Sequence, residues 1–281
     1  GGMVLGAMPL LVAGSREQRE RYFGPVLKGE MGGLGLSEWE HGSDLVSGAC
    51  RAAPVDEAGD AASEKDAAAF VLDGTKSPTN NGSVGANVVV LARTSDGDDA
   101  FAHTLFLVPR GTPGMLAVPR FDSLGYRTMD LSGVALKGAR LGREMVIGAV
   151  GEGFVIARRA LEISRSGVAT MGVGAHATAL ALALLHARGR KLYGAPILEL
   201  GGVKRLVAAI TGRLLVASAL SRWTVRCVGA WGGAARSWTS VAKLVCPALL
   251  EASVHDAGTV LGARSLMNDL PFGRLRRAAP V

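Results

Sequence analysis

Hydroxyl, glycine and backbone amide groups are concentrated in one short polar stretch, Gly35 to Asp44, with the sequence GLSEWEHGSD. Ser37 and Ser43 can each donate a hydrogen bond to a ligand or accept one, and Gly42 allows the backbone to approach a ligand closely. Such a loop suits a flat heterocycle that carries carbonyl groups on one edge and lies near an anion. On its own, the stretch is equally consistent with a surface turn beside a helix cap.

Two helices are predicted ahead of this loop. Residues 1–13 are apolar with interspersed glycines, a composition typical of a buried helix. Ser15 can cap a second helix, Arg16 to Leu27, because Gln18 occupies the position that completes a capping box. The polar loop therefore follows a helical lead-in.

Short apolar runs alternate with turn residues from Met31 to Ile147. Runs this short, separated by Asp-Gly and Pro-Gly turns, predict strands rather than helices. The runs cover residues 69–72, 87–92, 104–108, 115–118 and 134–136. Several such strands in succession indicate a small β-barrel or sandwich, and the polar stretch 56–66 is predicted to be a hairpin loop.

Helix-forming residues dominate from Gly148 onward. Helices are predicted over residues 154–188, 203–229 and 234–261, followed by an irregular tail from Pro271. Residues 167–185 form a run of 19 residues without a charge, which is long enough for a membrane-spanning helix. We favour instead a helix buried in a large helical core or in an oligomer. Helices, then strands, then helices give an α+β fold by segment.

The polar loop resembles the Ala-Leu-Thr-Glu-Pro-x-Ala-Gly-Ser-Asp signature of the acyl-CoA dehydrogenase family. Other stretches similar to the family pattern follow in the right order: residues 74–82, 151–154, 161–165, 190–194 and 240–243. The resemblance covers nearly the whole chain. It implies the end of an N-terminal helical domain over residues 1–30, a middle β-barrel domain over 31–147 and a C-terminal helical bundle over 148–281. It also implies a chain truncated at both ends relative to the family.

The resemblance implies FAD as the cofactor. Leu36 and Ser37 match positions that contact the isoalloxazine ring through backbone and hydroxyl groups, and Asn80 can hydrogen-bond the N5 edge of that ring. A donor near the N1 and O2 edge stabilises the negative charge that develops on reduction. Arg190 matches an arginine that binds the pyrophosphate across a subunit interface, and Tyr193 keeps the aromatic ring of the same element.

The resemblance also implies a substrate site. Ser43 matches a serine near the phosphorylated arm of the thioester, and Glu162 and Arg165 match an acid and an arginine near the nucleotide end. For Arg165, a buried ion pair with a nearby carboxylate is the alternative. The catalytic base is unknown, because Ser164 stands where some members carry it. The Tyr-Glu-Gly-Thr element that carries it in most members is not found after residues 271–277.

Several positions depart from the family pattern. Pro78 stands where a tryptophan usually packs on the flavin, and the Asn-Asn-Gly sequence at 80–82 would also serve as a hairpin turn. Trp39 replaces a proline in the polar loop, and Gly201 replaces a glutamine. A later glycine-rich element keeps only its first glycine, and Arg264 within it indicates either a new phosphate contact or weakened binding.

Composition narrows the class of protein further. The 281 residues carry a net charge of +7, which suits acidic partners such as phosphorylated cofactors or an acidic carrier protein. The positive residues are scattered apart from three near the end, so nucleic acid is not an expected partner. Three cysteines without a CxxC pair predict buried thiols in a reducing, cytoplasmic compartment, and neither a disulfide framework nor a metal site.

We therefore expect an acyl-CoA dehydrogenase-like oxidoreductase that uses FAD to oxidise an acyl thioester to its 2,3-enoyl form. The thioester would be carried on coenzyme A or on an acyl carrier protein. The expected assembly is a homodimer or homotetramer without a membrane span, and an electron-transfer flavoprotein is one candidate electron acceptor. The alternative is a family member without the redox role, acting as a non-redox thioester enzyme or as a binding or scaffold subunit. A membrane-anchored helical protein is the third reading.

Overall fold

The computed structural model describes residues 2–97 and 99–279, and the chain divides into two compact units. Unit 1 extends to residue 123 and also contains residues 127–161. Unit 2 contains residues 124–126 and begins again at residue 162. The three domain boundaries given above stay predictions.

Two helices precede the strands of unit 1: α1 (Gly2–Ala13) and α2 (Arg16–Leu27). The predicted capping box at the start of α2 is confirmed. The Gln18 amide donates to the Ser15 hydroxyl over 3.2 Å, and the Gln18 side chain accepts from the Ser15 amide over 3.0 Å. The same glutamine donates to the carbonyl of Val146 over 2.7 Å, so the start of α2 is fixed against the strand region.

Eight strands of unit 1 form one mixed sheet. They are β1 (Met31–Gly35), β2 (Arg51–Val55), β3 (Ala69–Asn80), β4 (Gly85–Arg93), β5 (His103–Pro109), β6 (Met115–Val118), β7 (Leu131–Gly142) and β8 (Val146–Ile147). The order is β6-β7-β3-β1-β4-β5-β8, and β2 pairs with both β3 and β4. Strands β3, β1, β4 and β2 therefore close a ring. The predicted middle β-barrel is confirmed, and all five apolar runs lie in strands.

The core of unit 1 lies at the centre of this sheet. Residues 88–92 of β4 and 105–108 of β5 are completely buried. Strands that are buried on both faces have continuous apolar sequences instead of alternating ones. This burial explains why the two strands appear in the sequence as unbroken apolar runs.

The turn at Asn80 to Gly82 does not form the hairpin that its sequence also allowed. Strand β1 lies between β3 and β4, antiparallel to β3 and parallel to β4. The turn therefore leads from β3 to a strand that is not its direct neighbour. The predicted hairpin loop at residues 56–66 is confirmed, because it joins β2 and β3, which pair antiparallel.

Unit 2 is mainly helical, as predicted. Its helices are α3 (Gly153–Gly189, whose first turns belong to unit 1), α4 (Gly201–Trp231), α5 (Arg236–Leu261) and α6 (Pro271–Ala278). A small hairpin of β9 (Lys191–Leu192) and β10 (Ala195–Pro196) follows α3. The predicted irregular tail is wrong. Pro271 occupies the first turn of α6, where its fixed φ and missing N–H are compatible with a helix.

Helix α3 has the length and composition of a membrane-crossing helix. Its most apolar 18-residue window has a mean hydropathy of 1.7, and 22% of that window is buried inside this chain. The chain by itself therefore does not bury α3 on all sides. Core helices of soluble proteins meet the same test of length and composition, so these two properties alone assign no membrane span.

Candidate functional site

The polar loop begins where strand β1 lies against β3. A Cβ at Gly35 would lie 3.0 Å from the Cβ of Lys76, and a Cβ at Gly33 would lie 2.9 Å from the Asn80 carbonyl oxygen. A side chain at either glycine would push the two strands apart. Glycine at both positions thus lets the loop start beside the C-terminal half of β3.

A buried ion pair joins the loop to β3. The Lys76 ammonium donates to Glu38 Oε1 over 2.7 Å and to the Leu36 carbonyl over 3.1 Å. Glu38 also accepts from the backbone amides of Cys50 over 2.9 Å and Ala49 over 2.8 Å. Only 2% of the Lys76 side chain and 10% of the Glu38 side chain are exposed. The network therefore connects the loop, the start of β2 and β3 in a place that excludes water.

The Glu38 carboxyl group of this pair is ionised at neutral pH. Burial by itself would raise the pKa of Glu38, but the hydrogen bond and charge of Lys76, with the two amides, outweigh burial and lower that pKa. Burial raises the pKa of the neighbouring Cys50 thiol to about 11, so the thiol stays protonated and unreactive. Both residues of this pair lie in family-like stretches. Nothing in the sequence alone indicated that they meet.

Three of the residues predicted to bind the flavin come together in unit 1. Leu34 of β1 pairs with Asn80 of β3, and the Ser77 amide donates to the Ser37 carbonyl over 3.0 Å. Leu36 is buried, whereas Ser37 and Asn80 are half-buried. The structure thus places Leu36, Ser37 and Asn80 around the paired ends of β1 and β3, with polar side chains partly open to solvent.

Most of the loop after Glu38 is exposed, although His41 is half-buried. Glu38 and His41 exchange two backbone hydrogen bonds of 3.0 and 3.1 Å, which close a tight turn. Ser43 lies in an exposed bend after that turn. Trp39 is 72% exposed and packs on Phe121, with ring centroids 5.7 Å apart. The substitution of tryptophan for proline therefore adds an aromatic surface at the loop.

The two predicted substrate residues of unit 2 lie one turn apart near the start of α3. Glu162 is 8% exposed. Arg165 is half-buried, and its guanidinium donates to the Ser240 hydroxyl over 3.3 Å. Within the part of the chain that the structure describes, Arg165 makes no ion pair with a carboxylate. The ion-pair alternative for this arginine is therefore not observed.

Arg190 and Tyr193 lie together after the end of α3. The Arg190 amide donates to the carbonyl of His186, and its carbonyl accepts from the amide of Ile197, both over 2.9 Å. Tyr193 and Gly194 form the turn of the β9–β10 hairpin, with φ values of 54° and 85°. The Tyr193 side chain is 95% exposed. The hairpin thus presents an arginine and an aromatic ring to the surroundings.

The charge of a second arginine, Arg264, acts on His186 in the last turn of α3. Burial lowers the pKa of His186, and the charges of Arg264 and Arg190 lower it further. Neither arginine forms an ion pair among the described residues. Arg264 belongs to the altered glycine-rich element, so the charges of two family-like stretches both act on His186. Their charges form a positive region suited to an anion.

A cavity of about 470 Å³ lies between the C-terminal part of α5, the segment after it and α6. Its lining includes Thr259, Gly262, Ser265, His255 and Arg276. Most of the altered glycine-rich element therefore borders an open space. In the described residues, no group of three or more His, Cys, Asp or Glu could hold a metal ion.

Comparison with known proteins decides the family. The sequence profile of the acyl-CoA dehydrogenase middle domain matches residues 33–139, and that of the acyl-CoA dehydrogenase C-terminal domain matches residues 151–281. The chain belongs to the acyl-CoA dehydrogenase family. A relative of this acyl-CoA dehydrogenase chain is the mitochondrial short-chain specific acyl-CoA dehydrogenase of Bos taurus, 28% identical over 274 residues. The match covers 97% of this chain and 64% of the relative's length.

Solved structures of acyl-CoA dehydrogenases share the fold. Butyryl-CoA dehydrogenase from Megasphaera elsdenii matches with a TM-score of 0.90 and 24% identity, covering 99% of this chain and 70% of that one. The prolyl acyl carrier protein oxidase AnaB matches with a TM-score of 0.89 and 23% identity, covering 99% and 71%. At this identity the likeness establishes the fold, and the roles of individual site residues stay predictions.

The residues that this acyl-CoA dehydrogenase chain provides fit FAD. Ser37 and Asn80 are half-buried residues beside the paired strands β1 and β3, so both can present polar groups to a flat ring. Arg190 and Arg264 supply positive charge without a carboxylate partner in the described region, as a pyrophosphate requires. The resemblance assigns the ring to the first group and the pyrophosphate to Arg190, and these roles stay predictions.

Proposed function

We propose that this chain is part of an FAD-dependent enzyme that oxidises an acyl thioester to the 2,3-enoyl thioester. The chain spans 64% of the length of a curated relative that it matches, so the activity of the whole protein is a proposal. The observation that carries it is the placement of Leu36, Ser37 and Asn80 along the paired ends of β1 and β3. These are the positions at which the family binds the flavin ring.

FAD, when bound, would supply the acceptor for the hydride from the β-carbon, and the α-proton would leave to a general base that none of the residues named here provides. The chain's own residues hold the ring and the substrate. Ser37 offers a hydroxyl whose hydrogen bond would strengthen as negative charge develops on the cofactor. Leu36 contributes backbone whose position is fixed by Lys76. Ser43, Glu162 and Arg165 are proposed to contact the substrate's phosphorylated arm and nucleotide end.

Two carriers fit the thioester. Relatives named for acyl-CoA substrates favour coenzyme A, whereas a structural neighbour named as an acyl carrier protein oxidase favours a carrier protein. The net charge of +7 suits either, because both are anionic. Rates with the same acyl group on coenzyme A and on a carrier protein, each at low and high salt, would separate them.

We also propose that the chain functions as a homo-oligomer. Large apolar side chains are exposed on the helices of unit 2: Met171 (52%), Leu185 (73%), Leu215 (65%) and Leu244 (73%). Exposed apolar side chains concentrated on one set of helices are typical of contact surfaces. Light scattering after size exclusion, with a Leu185→Glu and Leu244→Glu double variant, tests this. A monomeric wild type would contradict it.

The function is tested by the visible spectrum of the purified protein before and after addition of acyl thioesters. We expect a flavin band that bleaches with substrate and returns when an electron acceptor is added, such as an electron-transfer flavoprotein or oxygen. A protein that binds FAD but does not bleach with any acyl thioester would contradict the substrate class. A protein that remains colourless with added FAD would contradict the proposal as a whole.

The second candidate is a family member without the redox role. Pro78 is exposed where the family places a tryptophan on the flavin, and the glycine-rich element keeps one glycine. A colourless protein that nevertheless binds or hydrolyses acyl thioesters, measured by thiol release, would favour this candidate. The cytoplasmic location stays a prediction, supported by three free and buried cysteines.

A further inference from the structure

The buried ion pair between Lys76 and Glu38 lies directly beside Leu36 and Ser37, two residues predicted to bind the flavin. Replacing a buried ion pair by apolar side chains of similar size is often neutral or stabilising, so burial of the two charges is poor support for a stability role. The hydrogen bonds of the Lys76 ammonium are directional. Their acceptors, Glu38 and the Leu36 carbonyl, belong to the loop that presents Leu36 and Ser37. We propose that Lys76 and Glu38 are positioning residues that preset this loop for the cofactor.

The contacts fix the loop on both sides of Ser37. Before it, the Leu36 carbonyl accepts from the Lys76 ammonium over 3.1 Å. After it, the Glu38 carboxylate accepts from the same ammonium over 2.7 Å. The Ser37 carbonyl itself accepts from the Ser77 amide, the next residue of β3. The Ser37 hydroxyl therefore remains available for a ligand.

The Glu38 carboxylate is also held by hydrogen bonds from the segment at the start of β2. It accepts from the amides of Ala49 and Cys50. Two glycines leave room for the pair: a Cβ at Gly48 would lie 3.1 Å from Glu38 Oε1, and a Cβ at Gly35 would lie 3.0 Å from the Lys76 Cβ. The carboxylate thus links two strands to the loop in a closely packed space, and neither charged group can swing away.

A preset loop would strengthen cofactor binding because little conformational freedom is lost when the ligand arrives. Outer-shell residues that orient the ligands of a metal ion typically change metal affinity or activity by about 10- to 100-fold when they are removed, and we expect an effect of similar size here. This inference rests on the proposed function, since it concerns the site at which FAD would bind. It adds two residues that do not themselves contact the flavin.

The test compares Lys76→Met with Lys137→Met, a matched control on an exposed lysine of β7. FAD affinity is measured by titration of flavin fluorescence, and the midpoint potential of the bound flavin is measured in the same samples. For Lys76→Met we expect a Kd about tenfold higher or more and a shifted potential. For Lys137→Met we expect no change in either. A purely structural contact would lower Tm and leave the potential of the bound flavin unchanged.

The outcomes separate the two proposals. A wild type that fails to bind FAD contradicts the proposed function and, with it, this inference. A wild type that binds FAD while Lys76→Met binds it with the same Kd and potential overturns this inference alone. If Lys76→Met does not fold, the double variant Lys76→Met/Glu38→Leu decides, because it leaves no unpaired charge in the core. Wild-type affinity and potential in that double variant would overturn the inference.

Discussion

The ammonium of Lys76 lies 2.7 Å from Glu38 Oε1, and the two buried side chains link the loop after β1 to β3. The loop and the strand are separated in sequence by all of β2, so folding alone brings the two charges together. Each charge is stabilised by the other, because an unpaired charge buried at this depth would be unfavourable.

Removal of one partner is therefore expected to cost more than removal of both. Lys76→Met should lower the free energy of unfolding by about 3–5 kcal/mol, because it leaves the Glu38 carboxylate uncompensated. Lys76→Met/Glu38→Leu should lose about 2 kcal/mol, since the hydrogen bonds to the Ala49 and Cys50 amides and to the Leu36 carbonyl are lost while no unpaired charge remains. Urea denaturation of the two variants, with Glu38→Leu completing a double-mutant cycle, measures the coupling. Additive losses would contradict a coupled pair.

The same pair should make stability depend on acid pH. The pKa of Glu38 is lowered in the folded state, so its contribution is complete above the unfolded-state pKa of about 4.3. It is lost as the pH falls through the lower, folded-state value. The stability difference between wild type and Glu38→Gln should be constant from pH 7 to 5 and shrink below about pH 4.3. A difference that stays constant down to pH 3 would contradict an ionised Glu38.

His103, at the start of β5, should make stability depend on pH in a higher range than Glu38 does. The residue is buried, and burial together with the charges of Arg93 and Lys76 lowers its pKa. Glu38 and the Asp99 backbone oppose this shift without reversing it. The unfolded chain therefore binds a proton below about pH 6.5 that the folded chain does not, and stability falls there as the pH falls.

The measurement for His103 is thermal unfolding between pH 7.5 and 5. His103→Leu should have a flatter stability profile than wild type in this range, whatever its absolute stability. His255→Gln, at an exposed histidine on α5, is the control and should keep the wild-type slope. Equal slopes in His103→Leu and wild type would show that His103 does not cause the pH dependence.

Alanine substitutions at two glycines should separate the cost of backbone strain from the cost of a steric conflict. Gly74 has a φ of 137°, and a Cβ there would lie 2.7 Å from the Cys50 Cα. Gly111 has a φ of 91° with nothing within 4 Å of that position. Gly111→Ala should cost about 1–2 kcal/mol from the positive φ alone. Gly74→Ala should cost about 1–3 kcal/mol more, because the added methyl group meets the β2 backbone. Equal losses in chemical denaturation would contradict the predicted conflict.

Alanine substitutions at two serines of the loop should separate effects on the cofactor from effects on the substrate. Ser37→Ala should lower the midpoint potential of bound FAD and reduce kcat by about 10²- to 10³-fold, as loss of a donor to developing negative charge does. Ser43→Ala should raise KM for the thioester and leave the potential unchanged. Potentiometry and steady-state kinetics on both variants measure this split. A change of potential in Ser43→Ala alone would reverse the two assignments.

Much of the fold was predictable because its signals are local. The capping box at Ser15 fixes the start of α2, and apolar runs between turn residues mark the strands from Ala69 to Leu136. These features depend on neighbouring residues and therefore appear in the sequence. The α6 helix was missed, since a proline at 271 is compatible with both a tail and a first helical turn.

The sequence by itself determined the family-like loop, the order of helices and strands, and the candidate residues Leu36, Ser37, Asn80 and Arg190. Tertiary structure alone decided which of them meet. Insertion of β1 between β3 and β4 carries the loop to Asn80, and folding of unit 2 brings the charges of both Arg264 and Arg190 to act on His186. The buried pair of Lys76 and Glu38 also exists only in the folded chain. Contacts between residues distant in sequence depend on strand order and packing, which no local pattern encodes.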